Sequence, residues 1–369
     1  MTYPVKWFSS HDASGAAVAG APVFSGAAGS LITVLDAYLL TGYGTVSVAS
    51  LVVSGGVATA TVSAGHGLLD QQIALIAGAT PGALNGEQRI TRLSPTTFTF
   101  STTAADGTAG GAITASVAPV VGWEKAFAGT SKAIYRSTDP AAVAAVYRVR
   151  HDAPPNAAAR AALSASDIDT LSGQTAELVW SGSTTPDSTP RRWIAAADSR
   201  TVWISIVDDG GAPHYGYTMG FGDLEAAGPL DAGPAGVWGY LSLTQSSGSA
   251  YAAGELVRGV SGGGPVAVET ILPQGRTGYS VPGRAGAGWP YPSPVHGGVD
   301  AAEMAVRGVA SGALRGRLRG LLAPLHARDQ MPAAGSIITL GDERYAVLSQ
   351  CEWQSGQYGS LLADLRGPW

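Results

Sequence analysis

Residues 191–223, RRWIAAADSRTVWISIVDDGGAPHYGYTMGFGD, decide the fold, because they carry the clearest strand signal in a chain otherwise dominated by small residues. Residues 193–196 and 201–207 read as strands flanking Asp198-Ser199-Arg200, a short polar break of the kind that closes a hairpin. The second strand alternates Val202, Ile204 and Ile206 with Trp203, Ser205 and Val207, and a third run, 215–221, follows Gly210-Gly211. Aromatic and β-branched residues fall on both faces. Neither face can be left to water, so other segments are expected to return and cover this sheet.

Composition supports the same class. The 369 residues leave room for two or three domains of ordinary size. The chain holds 51 glycines and 22 prolines, and charged residues make only 13% of it, about half the usual share of roughly 25%. Such a balance argues against charge-driven disorder and suits short strands joined by turns, with a surface polar through hydroxyls and backbone rather than through ions. A lone subunit of this kind presents a poorly solvated exterior, so burial against other subunits is expected. The net charge of −5 is spread along the chain, which argues against a nucleic-acid partner held by counterion release. The single cysteine, Cys351, excludes an intrachain disulfide and reads as a small buried hydrophobe. MTYPVKWFSSHD lacks the basic and apolar regions of a secretion signal, and no run of about 18 apolar residues suggests a membrane span.

Along the chain, residues 1–28 are turn-rich. A helix is predicted over 30–41, with Ser30 as its cap, Leu31, Leu35, Tyr38 and Leu39 on one face, and Gly42 as a left-handed C-cap. From Thr45 the period changes to two, and 45–62 reads as two strands around Ser54-Gly55-Gly56. Asn85-Gly86 marks a tight turn, and Phe98 and Phe100 share one strand face. Further strands are predicted at 237–243, 251–257, 266–272, 336–340, 344–348 and 360–364, with 289–294, WPYPSP, as an extended connector.

Two resemblances follow from particular motifs. Residues 57–114, with Ala64-Gly65-His66-Gly67-Leu68, IAGATPGALNG at 76–86, ITRLSPTTFTF and the closing GTAGGAIT, resemble a small β-rich module that recurs in tail, fibre and other virion proteins of tailed bacteriophages. Gly122-Trp123-Glu124-Lys125, Phe127-Ala128-Gly129-Thr130, Lys132-Ala133, Tyr135-Arg136, the Arg-Val strand ending at Asp152, Arg192-Trp193 and Phe221-Gly222-Asp223 resemble a family of tailed-phage structural proteins encoded among tail genes. That second pattern also touches VKWFSSHDASGA and AGSLITVLDAYLLTGYG near the N-terminus, and it departs from the family at His151, where a second aspartate is expected. The resemblances imply a virion component, with tail or baseplate favoured, made in the bacterial host cytoplasm, and they supply no catalytic residue.

The expected fold is therefore mainly β: a β-sandwich-like or mixed antiparallel sheet body with one N-terminal helix and an inserted small β domain. The expected divisions are 1–47 as the N-terminal part of the body, 48–117 as the inserted module, 118–300 as the central body and 301–369 as the segment that closes it. The expected partners are other virion proteins and copies of the chain itself. A host-surface glycan-binding tail protein and a capsid decoration protein are the alternatives.

Motifs for chemistry are sparse. The six histidines, at 11, 66, 151, 214, 296 and 326, stand singly and read as turn or surface residues. Gly259-Val260-Ser261-Gly262-Gly263 matches the pattern of a hydrolase nucleophile, but the Gly264-Pro265 that follows cannot start the helix such a turn requires, so a glycine-rich loop is expected. Asp208 and Asp209 are strand neighbours on opposite faces, and Asp167 and Asp169 read as solvated turn residues. No Walker or dinucleotide-binding loop is present, so no cofactor and no enzymatic activity are expected. Arg315, Arg317 and Arg319 in LRGRLRG are expected on one face of a strand, opposite Leu314 and Leu318, where they would pair with carboxylates within the chain or on a neighbouring subunit. Trp289 and Tyr291 are the residues expected to stack on a sugar if the chain binds glycans.

Overall fold

The computed structural model describes residues 3–153, 156–180, 185–207, 216–227, 234–241, 253–258, 264–271, 291–324, 326, 331–353 and 357–369. Among them the chain is mainly β, with antiparallel pairing throughout and one α-helix. The predicted hairpin is its centre. Arg192–Ala197 and Thr201–Val207 pair in register from Arg192↔Val207 to Ala197↔Val202, and the second strand pairs onward with Gly216–Ala226. Alternation then sends the two faces to different cores. Trp193, Ala195, Ile204 and Phe221 join one cluster, whereas Ile194, Ala196 and Trp203 join another.

Twelve described strands share this sheet. Lys6–Ser9 precedes the hairpin, and beyond Gly216–Ala226 the order runs Ala235–Leu241, Ala253–Leu256, Val266–Ile271, Ala301–Gly308, Leu314–Pro324, Gln357–Asp364, Glu343–Trp353 and Ile337–Leu340. Gly216–Ala226 also pairs with Leu314–Pro324, through Leu224↔Leu318, so six of these strands close into a ring. Glu343–Trp353 packs back over the hairpin, and the second core lies inside this roll, where Trp203 meets Trp238 at 5.5 Å between ring centroids. The C-terminal strands close the body by completing the same sheet.

A five-stranded sheet covers the other face of the hairpin: Trp123–Gly129, Lys132–Ser137, Val146–Ala153, Asn156–Ala162 and Leu178–Trp180. Its aromatic side chains converge on Phe221. Tyr147 stacks on that ring at 4.9 Å and Trp180 at 6.1 Å, Tyr135 lies nearly parallel to it at 6.2 Å, and Trp123 meets it edge-on at 5.4 Å. At the rim of this sheet Arg148, Arg150 and Arg160 all reach Glu177. Burial raises the Glu177 carboxyl, but the guanidinia led by Arg150 outweigh it and hold the group below its ordinary value.

The helix occupies the predicted span with different ends. Ser30–Asp36 is α-helical and Ala37–Thr41 widens into a π turn, closed by the Gly42 N–H on the Ala37 carbonyl at 2.8 Å. Ser30 does not cap it. Gly29 holds the N-cap position, and the Ser30 hydroxyl donates instead to the Ser25 carbonyl at 2.7 Å. His151 is buried beneath this turn, stacked on Phe24 at 5.9 Å.

Strands between 43 and 117 pair only with one another, as two sheets facing a shared core that includes Leu51, Ala58, Phe98 and Phe100. Tyr43–Ser47 pairs with Thr114–Val117, so the strands of this unit run from 43 to 117. Lys6 anchors it to the body: its buried ammonium meets Glu87 and donates to the Pro119 carbonyl at 2.6 Å.

Phe221 provides the test of this packing. Phe221→Ala removes the ring shared by four aromatic neighbours and is expected to cost about 3–5 kcal/mol, read from urea unfolding, because the large rings around it cannot collapse into the gap.

Candidate functional site

The basic run is a strand, Leu314–Pro324, but its arginines do not share a face. Arg315 and Arg319 are buried at 2% and 7%, Arg317 is exposed, and of the two leucines expected together on the opposite face Leu318 is buried while Leu314 is 55% exposed. Glycine backbone breaks the alternation. Gly316 and Gly320 have φ of +149° and +65°, and a Cβ would meet the Glu225 carbonyl at 2.1 Å in one case and the Trp369 ring at 1.9 Å in the other. The arginines pair within the chain: Arg315 donates to the Arg258 carbonyl at 3.0 Å, Arg317 meets Glu303, and Arg319 reaches Asp198 at 2.9 Å.

That last contact belongs to a polar node at the central turn. Asp198 accepts the Arg200 and Thr201 N–H groups through one oxygen, at 2.8 and 2.7 Å, and Arg319 through the other. Its carbonyl accepts the Trp123 indole N–H at 2.7 Å, and Ser199 ties the turn to Ser137 and Asp139. Buried Asp223 accepts Arg200 Nε at 2.8 Å and the Val143 N–H at 3.1 Å. Burial still raises the Asp223 carboxyl above its ordinary value. Both carboxylates are engaged by the fold itself, so the node is structural rather than a base awaiting a substrate.

The other predicted residues separate in the same way. His11, His66, His151 and His326 are buried, which corrects the surface reading, because each is enclosed by packing; His296 is exposed and pairs with Asp300. No group of metal-ligating side chains occurs among the described residues. Asp167 accepts the Asp169 and Thr170 N–H groups and Asp169 pairs with Lys132, as a turn requires. Tyr291 is partly buried and lies edge-on to His326 at 5.4 Å. Trp289, Ser261, Asp208, Asp209 and His214 lie outside the described residues, as does the Cys351 side chain. No described helix is long and apolar enough to cross a membrane.

Two surfaces remain. The first is the outer face of the module sheet formed by Ser50–Ser54, Val57–Thr61, Thr97–Ser101, Thr91–Ser94 and Gly107–Thr108. Register places Thr108, Val52, Thr59, Thr99 and Thr91 in one row across all five strands, with Ser54, Val57 and Ser101 in a second. The alternating partners Leu51, Val53, Ala58, Ala60, Phe98 and Phe100 are buried, so these rows face outward, and they carry no ionisable residue. The alternation itself was legible in the sequence. Its lack of charge across five strands required the register.

The second is a cleft of 430 Å³ where three distant segments meet: Trp7 and Asp12 to Ser14 from the N-terminus, Leu69, Asp70 and Arg92 from the module, and Gly335 to Ile337 from the C-terminal strands. Asp12 folds its own turn, with one oxygen accepting the Ser14 hydroxyl and the Ser14 and Ala16 N–H groups. The Ser14 hydroxyl bond, helped by those N–H groups and by the Arg92 charge, holds the Asp12 carboxyl below its ordinary value. Asp70 accepts the Arg92 backbone N–H at 3.0 Å. No local spacing announces this cleft, because docking of the module creates it.

No protein-family model matches the chain, and a search of curated proteins finds no match.

The contrast between two arginines tests the reading of the basic strand. Arg319→Ala leaves Asp198 buried without its partner and is expected to cost about 3–5 kcal/mol, whereas Arg317→Ala breaks an exposed pair and is expected to cost at most about 1 kcal/mol, both measured by chemical denaturation.

Proposed function

We propose that the chain is a non-enzymatic structural protein of a tailed-phage virion, built into the tail or baseplate through contacts with copies of itself. The observation that carries the reading is the uncharged outer face of the inserted module, whose rows run Thr108, Val52, Thr59, Thr99, Thr91 and Ser54, Val57, Ser101. Burying it desolvates no ion, and β-branched side chains on a sheet form the flat surface that packs against another sheet at about 10 Å. A face with neither sign of charge has no preference for a charged partner and is compatible with itself, so the occupant is a second copy of the chain.

Area sets the extent of the contact. Five strands of two to five residues cover on the order of 300 Å² at ordinary strand spacing and rise. Two such faces fall short of the roughly 1,000 Å² that a specific interface buries, so the contact extends beyond the face. Leu93, on the edge strand of this sheet and 60% exposed, is the adjoining apolar surface. The sequence resemblance to tail proteins supports the location, and the inserted module supports a projecting contact.

Thr59 and Thr99 are register neighbours on adjacent strands. Replacing both by lysine places like charges side by side on the face at a folding cost of about 1 kcal/mol or less. The wild-type chain is expected to form oligomers in sedimentation velocity, and the double variant to remain monomeric with an almost unchanged thermal transition. A wild-type chain that stays monomeric, or a double variant that assembles normally, contradicts the proposal.

A further inference from the structure

We infer that the cleft between the N-terminal turn, the module and the C-terminal strands binds a neutral saccharide. Its 430 Å³ lies within the roughly 300–1,000 Å³ typical of small-molecule sites. The polar groups that line it have opposite hydrogen-bonding needs. Asp12 and Asp70 each place one oxygen in a backbone hydrogen bond and keep a second carboxylate oxygen as an acceptor. Arg92 uses its backbone N–H on Asp70 and is the one cationic residue among the described residues that line the cleft.

A ligand for this set must both accept and donate at neighbouring atoms. Adjacent sugar hydroxyls do so, whereas an anion offers acceptors only and meets two carboxylates against one guanidinium. Leu69 and Ile337 supply apolar wall for the C–H face of a ring. The inference is independent of the virion reading, since it rests on the cleft alone.

Ligand-observed NMR on the full chain, with maltose, cellobiose, lactose and chitobiose as probes and phosphate and glucuronate as anionic controls, tests it. At least one disaccharide is expected to bind with Kd near ~1 mM. Arg92→Ala is expected to weaken that binding at least tenfold. Asp70→Asn, which keeps the acceptor for the Arg92 N–H, is expected to do the same without moving the thermal transition. No saturation by any disaccharide at ~10 mM, tighter binding of phosphate or glucuronate, or wild-type affinity in both variants would overturn the assignment.

Discussion

Phe221 stands where the two layers of the body meet, and the rest of the fold depends on its being enclosed. It belongs to the central sheet, yet its four ring neighbours, Trp123, Tyr135, Tyr147 and Trp180, all come from the five-stranded sheet. Stacked and edge-on rings at these separations add a directional preference to ordinary apolar burial, so the contact sets how the sheets align as well as holding them together. The opposite face of the hairpin sends Trp203 against Trp238 in the second core. A hairpin apolar on both faces thus forces a three-layer arrangement, with the five-stranded sheet over one face and the C-terminal strand Glu343–Trp353 over the other.

A few of the scarce charges tie that arrangement together. Lys6 fixes the module to the body, Arg319 fixes the C-terminal strand to the central turn, and Glu177 gathers three arginines at the sheet rim. Each joins segments far apart in sequence. Buried pairs such as Lys6–Glu87 and Arg319–Asp198 add little net stability compared with apolar packing, but removal of either partner is costly, which makes them strong determinants of which segments meet. On the outside, two rows of the module sheet carry only hydroxyl and aliphatic groups.

Much of this was legible in the residues. The hairpin around Asp198, the helix span, the Gly55-Gly56 turn and the inward pair Phe98 and Phe100 follow from period and turn chemistry, which act locally. The strand character of 314–324 was legible too, but not the directions of its arginines, since Gly316 and Gly320 adopt backbone angles that alternation assumes away. The depth of the histidines was hidden for another reason: a lone histidine carries no local sign of what will enclose it. The cleft lay beyond sequence reasoning because its charged residues, Asp12, Asp70 and Arg92, become neighbours only after the module docks. The contact of Tyr291 with His326, 35 positions along the chain, is likewise one that only the fold brings about.

The central claim is that the module's uncharged face is buried by another copy in an assembled tail. Cryo-electron microscopy of the intact particle, with this chain traced in the map, tests it most directly. The account predicts a ring of copies at the tail or baseplate, with Thr59 and Thr99 covered by the neighbouring subunit. A chain on the capsid shell, or a tail location in which that face is open to solvent, would contradict it.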